Sequence, residues 1–146
     1  FSDSALMFMI GDVKSEVRKL VEVTKECCDI GLAQVKPWGF IGDVGAAIME
    51  HAHGTGYTIV REIGGHGVGL AFHEDPWVGY VTTAGTQMVM APGMMFTIEP
   101  MINMGGFEIK TDPDNGWEVS TKDGKPSAQW EYQVLVTEDG YELISW

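Results

Sequence analysis

Three stretches of this chain hold acids or imidazoles in settings that an ordinary strand does not provide. In the first, GGHGVGLAFHEDP over 64–76, His66 stands between Gly65 and Gly67. Flanking glycines let the backbone approach closely and leave the ring accessible. In the second, PGMMFTIEP over 92–100, Glu99 sits in a run of Met, Phe, Ile and Pro. A carboxylate buried there is costly unless it is paired or metal-bound. Pro100 biases Glu99 toward extended geometry, which fixes where its side chain points. In the third, SAQWEYQ over 127–133, Glu131 repeats the pattern. Strand alternation gives Glu99 a common face with Met95 and Thr97, and gives Glu131 a common face with Gln129 and Gln133. Two such strands could aim two carboxylates into one cleft. Asp3, at the start of an apolar stretch, is a further candidate. Imidazole and carboxylates together suit Mn, Fe, Co or Zn better than Ca or Mg.

The elements that must position these groups change character along the chain. Residues 2–10 alternate loosely and predict a strand. An apolar stripe over 12–36 predicts a helix with Asp12 as N-cap and Pro37 as stop. A turn at Pro37-Trp38-Gly39 leads to a second helix from Asp43 to about His53, with Val44, Ala47 and Ile48 facing inward. From residue 57 onward the signals are short strands broken by Gly and Pro, at 57–61, 66–73, 94–102, 107–110, 116–121, 128–137 and 141–145. Helices first and strands after argue an α+β fold.

Composition narrows the function classes. The chain of 146 residues is the size of one domain. Its 21 acidic against 9 basic residues give a net charge of −12. That balance disfavours nucleic acid and anionic membranes as partners. No apolar run approaches the roughly 20 residues of a membrane span. Cys27 and Cys28 are adjacent, so they staple no fold and read as reduced thiols. Glycine is abundant, at 19 residues, which implies many turns or close approaches. The first six residues, FSDSAL, have neither the basic head nor the cleavage-type tail of a signal peptide, and the chain reads as if it starts in mid-sequence.

Taken in order, GGHGVGLAFHEDP, APGMMFTIEP and SAQWE followed by YQVLVTEDG resemble the type I methionine aminopeptidases. KPWGFIGDVGAAI and GYTIVREIGGHG are similar to the family's linking region, so the resemblance runs over nearly the whole chain. It implies the C-terminal portion of the pita-bread fold, here two amphipathic helices followed by a curved antiparallel sheet. Residues 1–146 would then be a single, N-terminally incomplete metallopeptidase catalytic domain. The family removes the initiator methionine from peptides and nascent proteins in the cytoplasm, using two divalent ions held by two Asp, one His and two Glu. By motif, Asp3, His66, Glu99 and Glu131 resemble four of those ligands, and the first family Asp has no counterpart. One metal position is therefore expected to be nearly complete and the other impaired, with weak or no activity in this chain alone.

The resemblance also implies roles. Glu99 would be both ligand and proton shuttle for attack of a metal-activated water on the first peptide carbonyl. His73 would contact substrate and support the developing oxyanion, and Phe72 and Trp117 would wall the methionine pocket. The face normally covered by the missing half would favour self-association. Two other functions fit the motifs less well. A Xaa-Pro peptidase of the same fold usually has an Arg beside the last Glu motif, where this chain has Ala128-Gln129-Trp130-Glu131. A silent binding module has no reason to keep Asp3, His66, Glu99 and Glu131 together.

Overall fold

A computed structural model describes residues 1–145. Two helices come first, α1 (Ser15–Leu32) and α2 (Ile41–Gly54). The rest is β1 (Thr58–Ile59), β2 (Gly65–Gly67), β3 (Glu74–Val78), β4 (Met95–Ile98), β5 (Met101–Asn103), β6 (Ile109–Thr111), β7 (Val119–Thr121), β8 (Ser127–Gln129), β9 (Tyr132–Val136) and β10 (Tyr141–Ser145). The architecture is α+β, as the order of sequence signals implies. Every strand pair is antiparallel. β10-β9-β4-β2-β3 form one sheet, β1-β5-β8 a second, and β6-β7 a hairpin.

The helices pack on these sheets through one core. Leu20 and Cys28 of α1, Val44 and Ile48 of α2, and Phe96, Ile98, Ile102 and Val134 of the strands are all fully buried within it. Close approach of α1 depends on Gly31, where a Cβ would lie 2.5 Å from Ile48 Cδ1 and 3.2 Å from Ile98 Cγ2. At the start of α2, the Asp43 carboxylate accepts the Phe40 N–H at 3.1 Å, satisfying a backbone donor that the first turn leaves open.

Several expectations need correction. Residues 2–10 are not a strand, because only Ala5 finds a ladder partner, in an isolated bridge to Glu131. Side chains satisfy the neighbouring backbone instead: Asp3 N–H donates to Gln133 Oε1 at 2.8 Å and Ser145 Oγ donates to the Asp3 carbonyl. α1 starts at Ser15 with Lys14 as N-cap, since Gly11 turns the chain at φ 71° and leaves Asp12 outside the helix. It also ends at Leu32, before Pro37. The 66–73 strand is only β2, and β3 follows a loop over 68–73.

The predicted 94–102 and 128–137 strands are each split in two. The first breaks at Glu99-Pro100 and the second at Trp130-Glu131. Register is the same on both sides of the breaks: Ile98 pairs with Tyr132 in one sheet and Met101 with Gln129 in the other. These are two long paired strands that pass from one sheet into the next through a corner. Both carboxylates that the sequence singles out stand at that corner.

Candidate metal centre

The corner brings Glu99 and Glu131 to directly opposed positions in the strand register. Like charges directly opposite each other on a strand pair repel. A third acid is added by the N-terminal segment. Glu131 N–H donates to the Ala5 carbonyl at 2.9 Å, and this bridge brings Asp3, two residues earlier, alongside. β2 supplies the imidazole. His66 Nε2 lies 3.5 Å from Asp3 Oδ2 and 3.5 Å from Glu99 Oε1. Asp3, His66 and Glu131 each offer a ligand atom within 4.8 Å of the others.

Neighbouring polar groups fix these side chains. His66 Nδ1 faces the Gly67 carbonyl at 3.0 Å, so the ring proton belongs there and the Nε2 lone pair points at the acids. The Thr97 hydroxyl accepts the His66 N–H at 3.0 Å and donates to Glu99 Oε1 at 2.8 Å, tying the two together. Gln129 Nε2 donates to the other Glu99 oxygen at 3.1 Å. Burial pushes Glu99 up to about 7, and the nearby Asp3 charge adds to the rise. Burial also pushes Glu131 up to about 8, with Glu99 and Asp3 contributing.

Three acids that repel one another, beside an imidazole with its lone pair turned inward, fit a divalent cation. The donor set is one nitrogen with carboxylate oxygens, and a bound cation would remove the repulsion that now favours protonation.

The cluster opens into a cleft of about 500 Å³ lined by His66, His73, Glu74, Trp77 and Glu99 among others. The rings of His73 and His66 are 4.2 Å apart, and Phe72 packs edge-on against His73 at 4.6 Å. Trp117 is not gathered here. It stands beside the β6–β7 hairpin, 83% exposed, and does not line this cleft. Thr97, Gln129 and Gln133 were legible as neighbours on the polar face of their strands, yet nothing in sequence assigned them a bond. Tyr80, whose hydroxyl accepts the Glu99 N–H at 2.6 Å, carried no signal at all.

Comparison with known proteins decides the family. The model of metallopeptidase family M24 matches residues 1–138. The chain belongs to that family. Among similar relatives, methionine aminopeptidase A of Synechocystis is 46% identical over 98% of this chain and 56% of its own length. Methionine aminopeptidase B of the same organism is 43% identical, again over 98% of this chain and 52% of its own. The crystal structure of methionine aminopeptidase from Rickettsia prowazekii superposes with a TM-score of 0.95 at 37% identity, over 97% of this chain and 57% of that one. These likenesses establish the pita-bread architecture expected from the motifs. This M24 chain spans about half the length of the curated relatives it matches. Among its described residues no helix is long and apolar enough to cross a membrane.

Proposed function

We propose that this chain carries the metal-binding part of an aminopeptidase that removes N-terminal methionine from peptides and nascent proteins. The observation that carries this reading is the convergence of Asp3, His66, Glu99 and Glu131 from four separate segments on one corner of the fold. The printed names of the similar relatives support the choice of substrate. Residues 1–146 are proposed as one domain, contributing to a larger enzyme.

A divalent cation here, with Mn, Fe, Co or Zn best matched to the donors, supplies Lewis acidity and an acidified water. The chain's own residues do the rest. Glu99, whose proton affinity lies near neutrality when the site is metal-free, takes the water's proton and passes it to the leaving amine. His73, at the mouth of the cleft beside His66, donates to the oxygen of the carbonyl under attack. Phe72, 38% exposed and packed edge-on against Phe1 and His73, offers an apolar wall through its contact with His73, although it does not itself line the cleft. Trp117 would join it only if the hairpin or a covering segment brought it closer. One cation per chain is proposed, because one donor group forms among the described residues.

Two further properties belong to the proposal. The buried thiols of Cys27 and Cys28 support a reducing compartment, the cytoplasm. Phe1, Phe8, Ile10 and Leu70 are all at least 70% exposed, and this apolar surface supports self-association.

The test is release of methionine from Met-Gly peptides by the chain with added Mn or Co. Slow, chelator-sensitive release is expected, and Glu99→Gln should lower it roughly 100-fold or more. Release from Xaa-Pro peptides in preference to Met-Gly, or an unaffected Glu99→Gln variant, overturns the assignment.

A further inference from the structure

A buried side chain beside the centre that the metal reading does not use is Tyr80, which follows β3. Its side chain is 2% exposed, and its hydroxyl oxygen accepts the Glu99 N–H at 2.6 Å. The carbonyl of the same peptide unit, that of Ile98, accepts the Cys28 thiol proton from α1 at 3.2 Å. Both polar groups of the Ile98–Glu99 peptide are therefore held by side chains at the point where β4 ends. The next residue is Pro100, which has no N–H to anchor the bend. Tyr80 also touches the strand that bears the imidazole. A Cβ on Gly65, the residue before His66, would come within 3.0 Å of the Tyr80 hydroxyl oxygen. One phenol thus contacts the backbone of both Glu99 and the residue preceding His66.

We infer that Tyr80 is a positioning residue for the metal centre: its hydroxyl fixes the backbone from which the Glu99 carboxylate reaches the cation. The inference rests on the metal-centre reading above. Thr97 and Gln129 orient the carboxylate oxygens, but they can do so only if the Glu99 backbone keeps its place. Replacing Tyr80 by Phe preserves the ring and leaves the Glu99 N–H without its acceptor, which costs free energy in a buried site and is relieved by backbone movement. Loss of groups that orient a metal ligand lowers metal affinity about 10–100-fold.

The experiment is calorimetric titration of the 146-residue chain with Mn(II), for the parent, Tyr80→Phe and Val44→Ala. Val44 is buried in α2 and carries no polar group that could bond a ligand of the centre, so its variant controls for a general loss of stability. Weakening of Mn(II) binding by about tenfold in Tyr80→Phe, with Val44→Ala near parental affinity, is the expected result. Parental affinity in Tyr80→Phe, or equal weakening in both variants, overturns the role of Tyr80 alone. A parent chain that binds no Mn(II) overturns the metal reading itself. A second measurement needs no variant: amide hydrogen exchange in the metal-free parent. The Glu99 amide should exchange slowly, and exchange as fast as in the exposed 112–116 turn would overturn the inference even if Tyr80→Phe fails to fold.

Discussion

At the scale of single residues, the centre is a charge problem held in place by hydrogen bonds. Glu99 and Glu131 are raised to about 7 and about 8, first by burial and then by neighbouring acids. A carboxyl raised in the folded state binds more protons folded than unfolded. Its contribution to stability is therefore present at low pH and lost as pH rises through the folded value. The metal-free chain should lose thermal stability from about pH 5 to about pH 8, and Glu131→Gln should flatten that dependence. Differential scanning calorimetry across this window checks it; a metal-free midpoint that climbs with pH would be the opposite sign. Divalent metal competes with the same protons, so its binding should release protons and strengthen with pH over that window. Titration in buffers of different ionisation enthalpy reads that release directly.

At the scale of elements, the decisive feature is the double strand break. The period-2 pattern around Glu99 and Glu131 was legible, and the structure keeps Thr97, Glu99, Gln129 and Gln133 on one hydrogen-bonded surface. The first bend was not foreseen, because Pro100 reads only as holding Glu99 extended within one 94–102 strand. The second, at Trp130-Glu131, was not legible, because its cause is Ala5, more than a hundred residues away, which takes the Glu131 N–H. The same non-local pairing explains why the apolar alternation of 2–10 misleads: a strand needs a partner along its length, and this one has a single bridge. Tyr80 was invisible for a similar reason, since its worth lies in a peptide nineteen positions on. β2 gives the prediction at this scale. A Cβ at Gly65 would collide with the Thr97 carbonyl, so Gly65→Ala must separate β2 from β4. A loss of about 1–3 kcal/mol in denaturant unfolding is expected, together with weakened metal binding. A variant with parental stability and affinity would show that this close contact does not hold His66.

At the scale of the whole molecule, the two helices and the outer sheet build a core, and the corner between the sheets builds the site. Both were readable at the level of fold class, because helices followed by short strands leave few ways to bury one core. The apolar residues left exposed, among them Phe8 and Ile10 on the N-terminal segment, predict association, and light scattering should find dimers or larger species. A monodisperse monomer would mean that this surface is tolerated in water. The central claim, that Asp3, His66, Glu99 and Glu131 act together on one cation, is tested most directly by metal content. The chain would be dialysed to equilibrium against Mn(II), separated from loose ions and analysed for bound metal, alongside His66→Ala. One tightly held ion per chain, lost in His66→Ala, is the predicted result. Two tightly held ions, none, or one that survives His66→Ala would contradict it.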